Sequence, residues 1–288
     1  MSPAALQHSV RFEAIGTTWQ IDTLAELSAG ARAAVVGLVE EYDGVYSRFR
    51  ADSRIAGLAY GGTVELPPHG EHLGSLYRTL YRLTEGAMSP LVGGSLEQLG
   101  YDADYSFTPA GSPCSAPVWD ERFDWTGNVI KAQAPVILDV GAAGKGQLVD
   151  LVSQTLKAFG YAEHTVDAGG DTIHHGLPIT VALEHPYNTG SAIGVVPLAD
   201  QALCASASNR RRWSDGLHHV LDATTGRCVD KVVATWVLAG DALHADALAT
   251  ALFLVPPEIL LAEFDFEYVR VHSDGRAQFS SSLAGALF

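Results

Sequence analysis

One stretch of this chain, Ile137-Leu-Asp-Val-Gly-Ala-Ala-Gly-Lys-Gly-Gln147, limits the possible folds more than any other. The apolar run from Pro135 to Val140 predicts a buried strand, and a glycine-rich turn with one lysine follows it. Leu148, Val149, Val152, Leu156 and Phe159 then recur at helical spacing until Gly160 stops them. A strand, a glycine turn and a helix in that order aim backbone N–H groups at an anion. The glycines let the backbone come close, and the helix N-terminus and Lys145 supply positive charge. The expected ligand is a phosphate or pyrophosphate. The same turn also serves tight strand-to-helix packing with no ligand at all. A Walker loop is excluded, because Asp139 and Gly146 stand where it needs glycine and Ser or Thr. A Rossmann fingerprint is excluded too, since Gly141-Ala-Ala-Gly144 lacks the paired glycine start.

Charge complicates a phosphate ligand. The net charge of −15 and a pI near 5.0 argue against nucleic-acid or anionic-membrane partners, so a cation must bridge any bound pyrophosphate. With 47% hydrophobic residues among 288, a sizeable core is expected over one domain, residues 1–288. Three cysteines, Cys114, Cys204 and Cys228, form no C-x-x-C pair, and their odd number suits a reducing compartment. Residues 1–30 show no signal-peptide pattern, and no apolar run is long enough to span a membrane. The expected location is cytoplasmic.

Hydrophobic spacing predicts a strand over 9–22 and helices over 24–49 and 69–84. Residues 102–118, rich in Ser, Pro, Gly and Ala, predict a surface loop. Strands are expected near 122–131 and 135–140, and a helix over 145–159. The second half predicts strands at 163–167, 178–184, 192–198, 201–206, 217–222, 232–239, 267–272 and 276–280. Helices are expected there at 242–254 and 257–264. Many strands are joined by short turns, which favours a mixed α+β fold with largely antiparallel sheets and packed helices.

Three further constellations can carry chemistry. Asp246 and Thr250 lie four apart on an alanine-rich helix, hence on one face. They either offer oxygen ligands to a hard cation such as Mg²⁺, or Thr250 bonds back to the helix while Asp246 faces water. His218 and His219 are adjacent on a predicted strand, so at most one faces a given site, where it can act as acid or base. Val166-Asp-Ala-Gly-Gly-Asp171 is a second glycine turn, and Arg210-Arg-Arg212 is the basic cluster; each is a ligand contact or merely a solvated turn. His174, His175 and His185 lack zinc spacing and receive no role.

Taken in order, these segments resemble the FAD:protein FMN transferases, the ApbE-type flavin transferases. Ile15-Gly-Thr-Thr-Trp19, Ser47-Arg-Phe-Arg-Ala-Asp-Ser53 and Gly86-Ala-Met-Ser-Pro-Leu-Val-Gly93 are similar to three early family segments. Leu138 to Gly146 matches Asp-Leu-Gly-Gly-Ile-Ala-Lys-Gly, with Asp150 following, and Gly169-Gly-Asp171 matches a Gly-Gly-Asp turn. Ala205-Ser-Ala-Ser…Arg211, His219-Val-Leu-Asp222…Thr225-Gly226 and Ala245-Asp-Ala-Leu-Ala-Thr250 complete the series.

The resemblance implies an ApbE-like fold and an enzyme that moves FMN from FAD to a threonine hydroxyl of an acceptor flavoprotein, releasing AMP. It implies Mg²⁺ at Asp246, Thr250 and the carbonyl of Ala142. Phe49, Ala87, Met88, Ser89, Asp139, Lys145 and Leu221 are the expected FAD contacts, and His219 the base for the attacking threonine. Nucleic acid and membrane insertion are not expected. The chain departs from the pattern at Ser89 and Leu91, where the family has Asp and Thr, and at Gly94, Leu99, Ala207 and Ala223. Two other readings share the site: an FAD pyrophosphatase giving FMN and AMP, and a non-catalytic FAD-binding protein.

Overall fold

The protein is described here by a computed structural model covering residues 6–209, 212–214 and 216–288. Its centre is an eight-stranded sheet whose strands lie side by side in chain order. They are His8–Ala14, Thr17–Thr23, His164–Ala168, Asp171–His175, Gln201–Ala207, Val232–Ala239, Glu267–His272 and Ala277–Phe279. Every neighbouring pair is antiparallel, so the α+β expectation holds.

Alternation along the strands explains why both faces are covered. Ala202, Cys204, Val237 and Ala239 join a core with the helices Ala29–Tyr46, Gly144–Ala158 and Ala242–Ala251. Leu203, Trp236, Leu238 and Val269 point the other way, into a second core with the hairpin Ile179–His185 and Asn188–Leu198. Burial on both faces is why Val232–Ala239 reads as a continuous apolar run. The alanine-rich helix has Ala242, Ala245, Ala247, Ala249 and Ala251 fully buried, which lets its backbone approach the sheet. No helix among the described residues is long and apolar enough to cross a membrane.

Several expected elements are corrected. Residues 9–22 form two strands, because Ile15 (φ 43°) and Gly16 (φ 76°) turn the chain back on itself. A two-residue turn of that hand matches strand twist, and Gly16 is its signal. Residues 122–131 likewise divide into Phe123–Thr126 and Val129–Ala132 about Gly127. Residues 135–140 are extended and apolar but join no sheet. Their N–H groups go to loops instead, Val136 N to Leu58 O at 3.0 Å and Asp139 N to Pro90 O at 2.8 Å. Residues 217–222 break into Leu217–His218 and Leu221–Asp222, which pair with different partners. The last helices stop early, at Ala251 and Leu261. Residues 102–118 carry no helix or strand, as expected. The strands Asp171–His175 and Gly62–Glu65 went unread: histidines and glycines hid their alternation.

Candidate active site

The glycine–lysine turn is built by short bonds around Val140. Its carbonyl accepts from Ala143 N at 3.1 Å and from Gly144 N at 2.7 Å, and the helix starts at Gly144. Asp139 sits beside the turn, accepting from Gly141 N at 2.7 Å and from Arg48 Nε at 2.5 Å. Lys145 does not point freely at the cavity. Its Nζ donates to Ala168 O at 3.1 Å and forms an ion pair with the fully buried Asp171. Burial works against charge on Lys145, but Asp171, Asp246 and Cys204 together outweigh it, so the ammonium is held above the ordinary lysine range.

Asp246 is 4% exposed, which overturns the reading in which it faces water. It reaches across to the other helix, where its Oδ2 accepts from Gly146 N at 2.9 Å. Gly146 is required here. A Cβ on it would lie 2.1 Å from Ala242 O and 2.7 Å from Asp246 Cβ. Thr250 is one turn on, with its Oγ1 3.5 Å from Ser206 Oγ. The adjacent histidines separate as expected, although His219 lies just beyond the strand. His218 is buried, with Nε2 2.8 Å from Val229 O, while His219 faces the cavity.

Ser89 stands where the resemblance expects a carboxylate, and its hydroxyl accepts from Leu91 N at 3.2 Å, capping the turn Pro90–Val92. Met88 N donates to Thr84 Oγ1 at 2.9 Å, and Ala87 O accepts from Ala223 N at 2.9 Å. Phe49 is one wall of an aromatic group: its ring is parallel to Tyr105 at 5.0 Å, and Arg48 lies 4.1 Å over its centroid. Leu221 is buried and pairs with Cys228. Leu99, where the resemblance expects tryptophan, gives its carbonyl to Trp213 Nε1 at 2.7 Å.

These pieces surround one cavity of about 990 Å³. It is lined by all eleven expected residues: Phe49, Ala87, Met88, Ser89, Asp139, Ala142, Lys145, His219, Leu221, Asp246 and Thr250. Arg212 lines it too; Arg210 and Arg211 fall outside the described residues. Arg48, Tyr101 and Tyr105 also line it and were missed by sequence reasoning. Asp171 and Asp150, which the sequence placed in motifs without assigning a side-chain role, lie behind the cavity lining. Asp150 accepts from Ala242 N at 2.9 Å and Leu243 N at 2.8 Å, and burial pushes its carboxyl up to about 7. Gly-Gly-Asp was the available signal for Asp171. For Arg48 it was a charge beside an aromatic residue in the segment Ser47 to Ser53.

The chain is 29% identical over 279 residues to the FAD:protein FMN transferase of Rhodobacter capsulatus, covering 87% of this chain and 52% of that one. It thus spans about half the length of that relative. The Treponema pallidum (strain Nichols) protein of the same name is 28% identical over 284 residues, covering 83% of this chain and 76% of its own. Among solved structures, the ApbE protein of Thermotoga maritima superposes with a TM-score of 0.84 at 21% identity, over 98% of this chain and 99% of that one. The flavin transferase ApbE of Vibrio cholerae gives 0.79 at 22%, over 97% and 99%. These two likenesses establish the fold. The family model for ApbE matches residues 15–268, and the chain belongs to the ApbE family.

Proposed function

We propose that this chain is an FAD:protein FMN transferase that moves FMN from FAD to a threonine hydroxyl of an acceptor flavoprotein. The observation that carries the reading is the shared cavity. Residues from separate segments of the chain, expected from one family resemblance, line a volume of about 990 Å³. That is the upper end of ordinary ligand pockets, about 300–1,000 Å³, and suits a dinucleotide.

The donor set fits a hard cation. Asp246, Thr250 and Ala142 all line the cavity and would offer a carboxylate, a hydroxyl and a carbonyl as oxygen ligands. A magnesium ion held there would neutralise charge on the pyrophosphate oxygens.

The chain's own residues do the rest. Phe49 and Tyr105 give the substrate's planar ring an aromatic surface. Lys145, kept protonated by Asp171, adds fixed positive potential beside the glycine turn. His219 takes the proton of the acceptor hydroxyl as its oxygen attacks the FMN phosphorus. The bond from that phosphorus to the bridging oxygen breaks, and AMP leaves with that oxygen.

Incubation with FAD, Mg²⁺ and a flavoprotein fragment carrying an acceptor threonine tests the reading by intact mass. The fragment gains one FMN phosphoryl unit, and EDTA abolishes the gain. Free FMN appearing at the same rate without the fragment would instead make the enzyme a hydrolase. Bound FAD with no AMP release would make it a binding protein.

A further inference from the structure

Two helices meet beneath the cavity in a reciprocal arrangement. Each one's first turn is capped by a carboxylate from the other. Gly146 N, in the first turn of Gly144–Ala158, donates to Asp246 of the partner helix at 2.9 Å. Ala242 N and Leu243 N, the first two groups of Ala242–Ala251, donate to the two oxygens of Asp150 at 2.9 and 2.8 Å. The spacing is identical on both sides. Asp150 follows Gly146 by four residues, and Asp246 follows Ala242 by four. One helical turn separates donor from acceptor on each helix, so both lie on the facing surfaces. Only glycine at 146 permits the approach, since a Cβ would lie 2.1 Å from Ala242 O.

Helix N-termini leave N–H groups without intrahelical partners, and a carboxylate is their best acceptor. The alanine-rich helix has three to satisfy: Asp150 takes two, and Asp241 takes His244 N at 2.8 Å. These two caps differ in one respect. Asp241 belongs to the helix it caps and is 46% exposed along its side chain. Asp150 belongs to the opposing helix, so it fixes one helix against the other. Asp246 and Thr250 ride on the fixed helix, and Ala142 precedes the helix that does the fixing.

We infer that Asp150 is a positioning residue that sets the distance from the Asp246–Thr250 pair to the Ala142 carbonyl, and thereby the affinity for the divalent cation. The inference rests on the metal reading proposed above. Asp150 does not line the cavity. Its effect is geometric: without it the alanine-rich helix can shift about Gly146 and carry both side-chain ligands with it. Groups that orient metal ligands from behind typically change affinity about 10–100-fold when removed.

Mn²⁺ binding, followed by electron paramagnetic resonance on the full chain without FAD, separates the possibilities. Asp150→Asn keeps one acceptor but sets an NH₂ against the second N–H group; it weakens Mn²⁺ about tenfold or more. Asp150→Ser, whose hydroxyl still serves one N–H group, falls between it and the parent. Asp241→Ala removes a cap from the same helix without touching Asp150. It lowers the melting temperature comparably yet leaves Mn²⁺ affinity within about twofold, since capping alone concerns helix stability. Equal losses in Asp150→Asn and Asp241→Ala, or parental affinity in Asp150→Asn, would overturn the inference while leaving the metal site standing. Parental Mn²⁺ binding in Asp246→Ala, or none in the parent chain, would overturn the metal reading itself.

Discussion

The hairpin of His164–Ala168 and Asp171–His175 has two ends that treat buried polar groups in opposite ways. At the far end the groups are fully hydrogen-bonded. His164 sets Nε2 2.8 Å from Ser153 Oγ and Nδ1 2.8 Å from Tyr161 O. His174 sets Nδ1 2.8 Å from Thr165 Oγ1 and Nε2 2.8 Å from Leu177 O. At the Gly169–Gly170 end the groups are charged and incompletely matched. Asp171 is fully buried, and apart from the Lys145 pair its oxygens have no N–H or O–H hydrogen-bond partner among the described residues. Arg48, which also lines the cavity, has two buried guanidinium nitrogens without hydrogen bonds among the described residues, with Glu97 3.8 Å away. Ordinary interiors leave few such groups. Charge held in a dry place, with its hydrogen bonding unfinished, gives a ligand something to complete. The far end stabilises the sheet, and the near end readies a site.

The sharpest way to break this contrast is to neutralise one member of the buried pair. Lys145→Met leaves Asp171 buried with no counter-charge, and the expected loss is about 3–5 kcal/mol of stability, read by urea unfolding. Adding Asp171→Asn removes the stranded charge and restores most of that stability, because a buried ion pair is often replaceable by neutral groups. Flavin transfer stays lost in the double variant. Recovery of both properties together would mean that the pair is structural, and the two ends would no longer differ in kind.

Asp246→Ala ranks next. It removes a carboxylate from the cavity wall and the cap from Gly146 N. The expected fall in kcat/KM is on the order of 10²-fold, about 3 kcal/mol of transition-state stabilisation. Thermal stability should fall by only about 1 kcal/mol, the usual worth of a helix cap. A loss of stability as large as the loss of rate would place Asp246 with the far-end groups.

The same contrast explains what the sequence could say. The near end was legible because its chemistry is local: Gly141 to Lys145 and Asp246 with Thr250 are short patterns whose spacing already sets turn and face. Asp171 was visible only as the end of a glycine turn. Its partner Lys145 comes from a helix, and no spacing joins positions 145 and 171 before the sheet forms. Asp150 was hidden in the same way, since its two donors lie at 242 and 243. The fold class followed from strands separated by short turns. Errors arose where tertiary partners replaced a ladder, as at 135–140, or where a left-handed turn at Ile15 and Gly16 split one apolar run into two strands. His174 and His175 carried no recognisable motif because their partners are a threonine, an aspartate and a backbone carbonyl drawn from three other places.

The smallest expected effect tests the far end alone, through pH. Burial lowers His164 from its ordinary 6.5 to about 4, opposed by its bond to Tyr161 O and aided by neighbouring His175. The folded chain therefore holds this ring neutral while the unfolded chain protonates it first. Stability from this residue is complete above about pH 6.5 and is lost as pH falls towards 4. Between pH 8 and pH 5 the loss is about 2 kcal/mol, from one proton taken up only by the unfolded state. In His164→Asn that part of the acid slope disappears from urea unfolding measured across the range, while kcat/KM for flavin transfer at pH 8 stays within about twofold of the parent. An unchanged slope would mean that His164 is already protonated in the folded state. The far end would then hold charge as the near end does, and the difference between the two ends would lie only in how completely each is hydrogen-bonded.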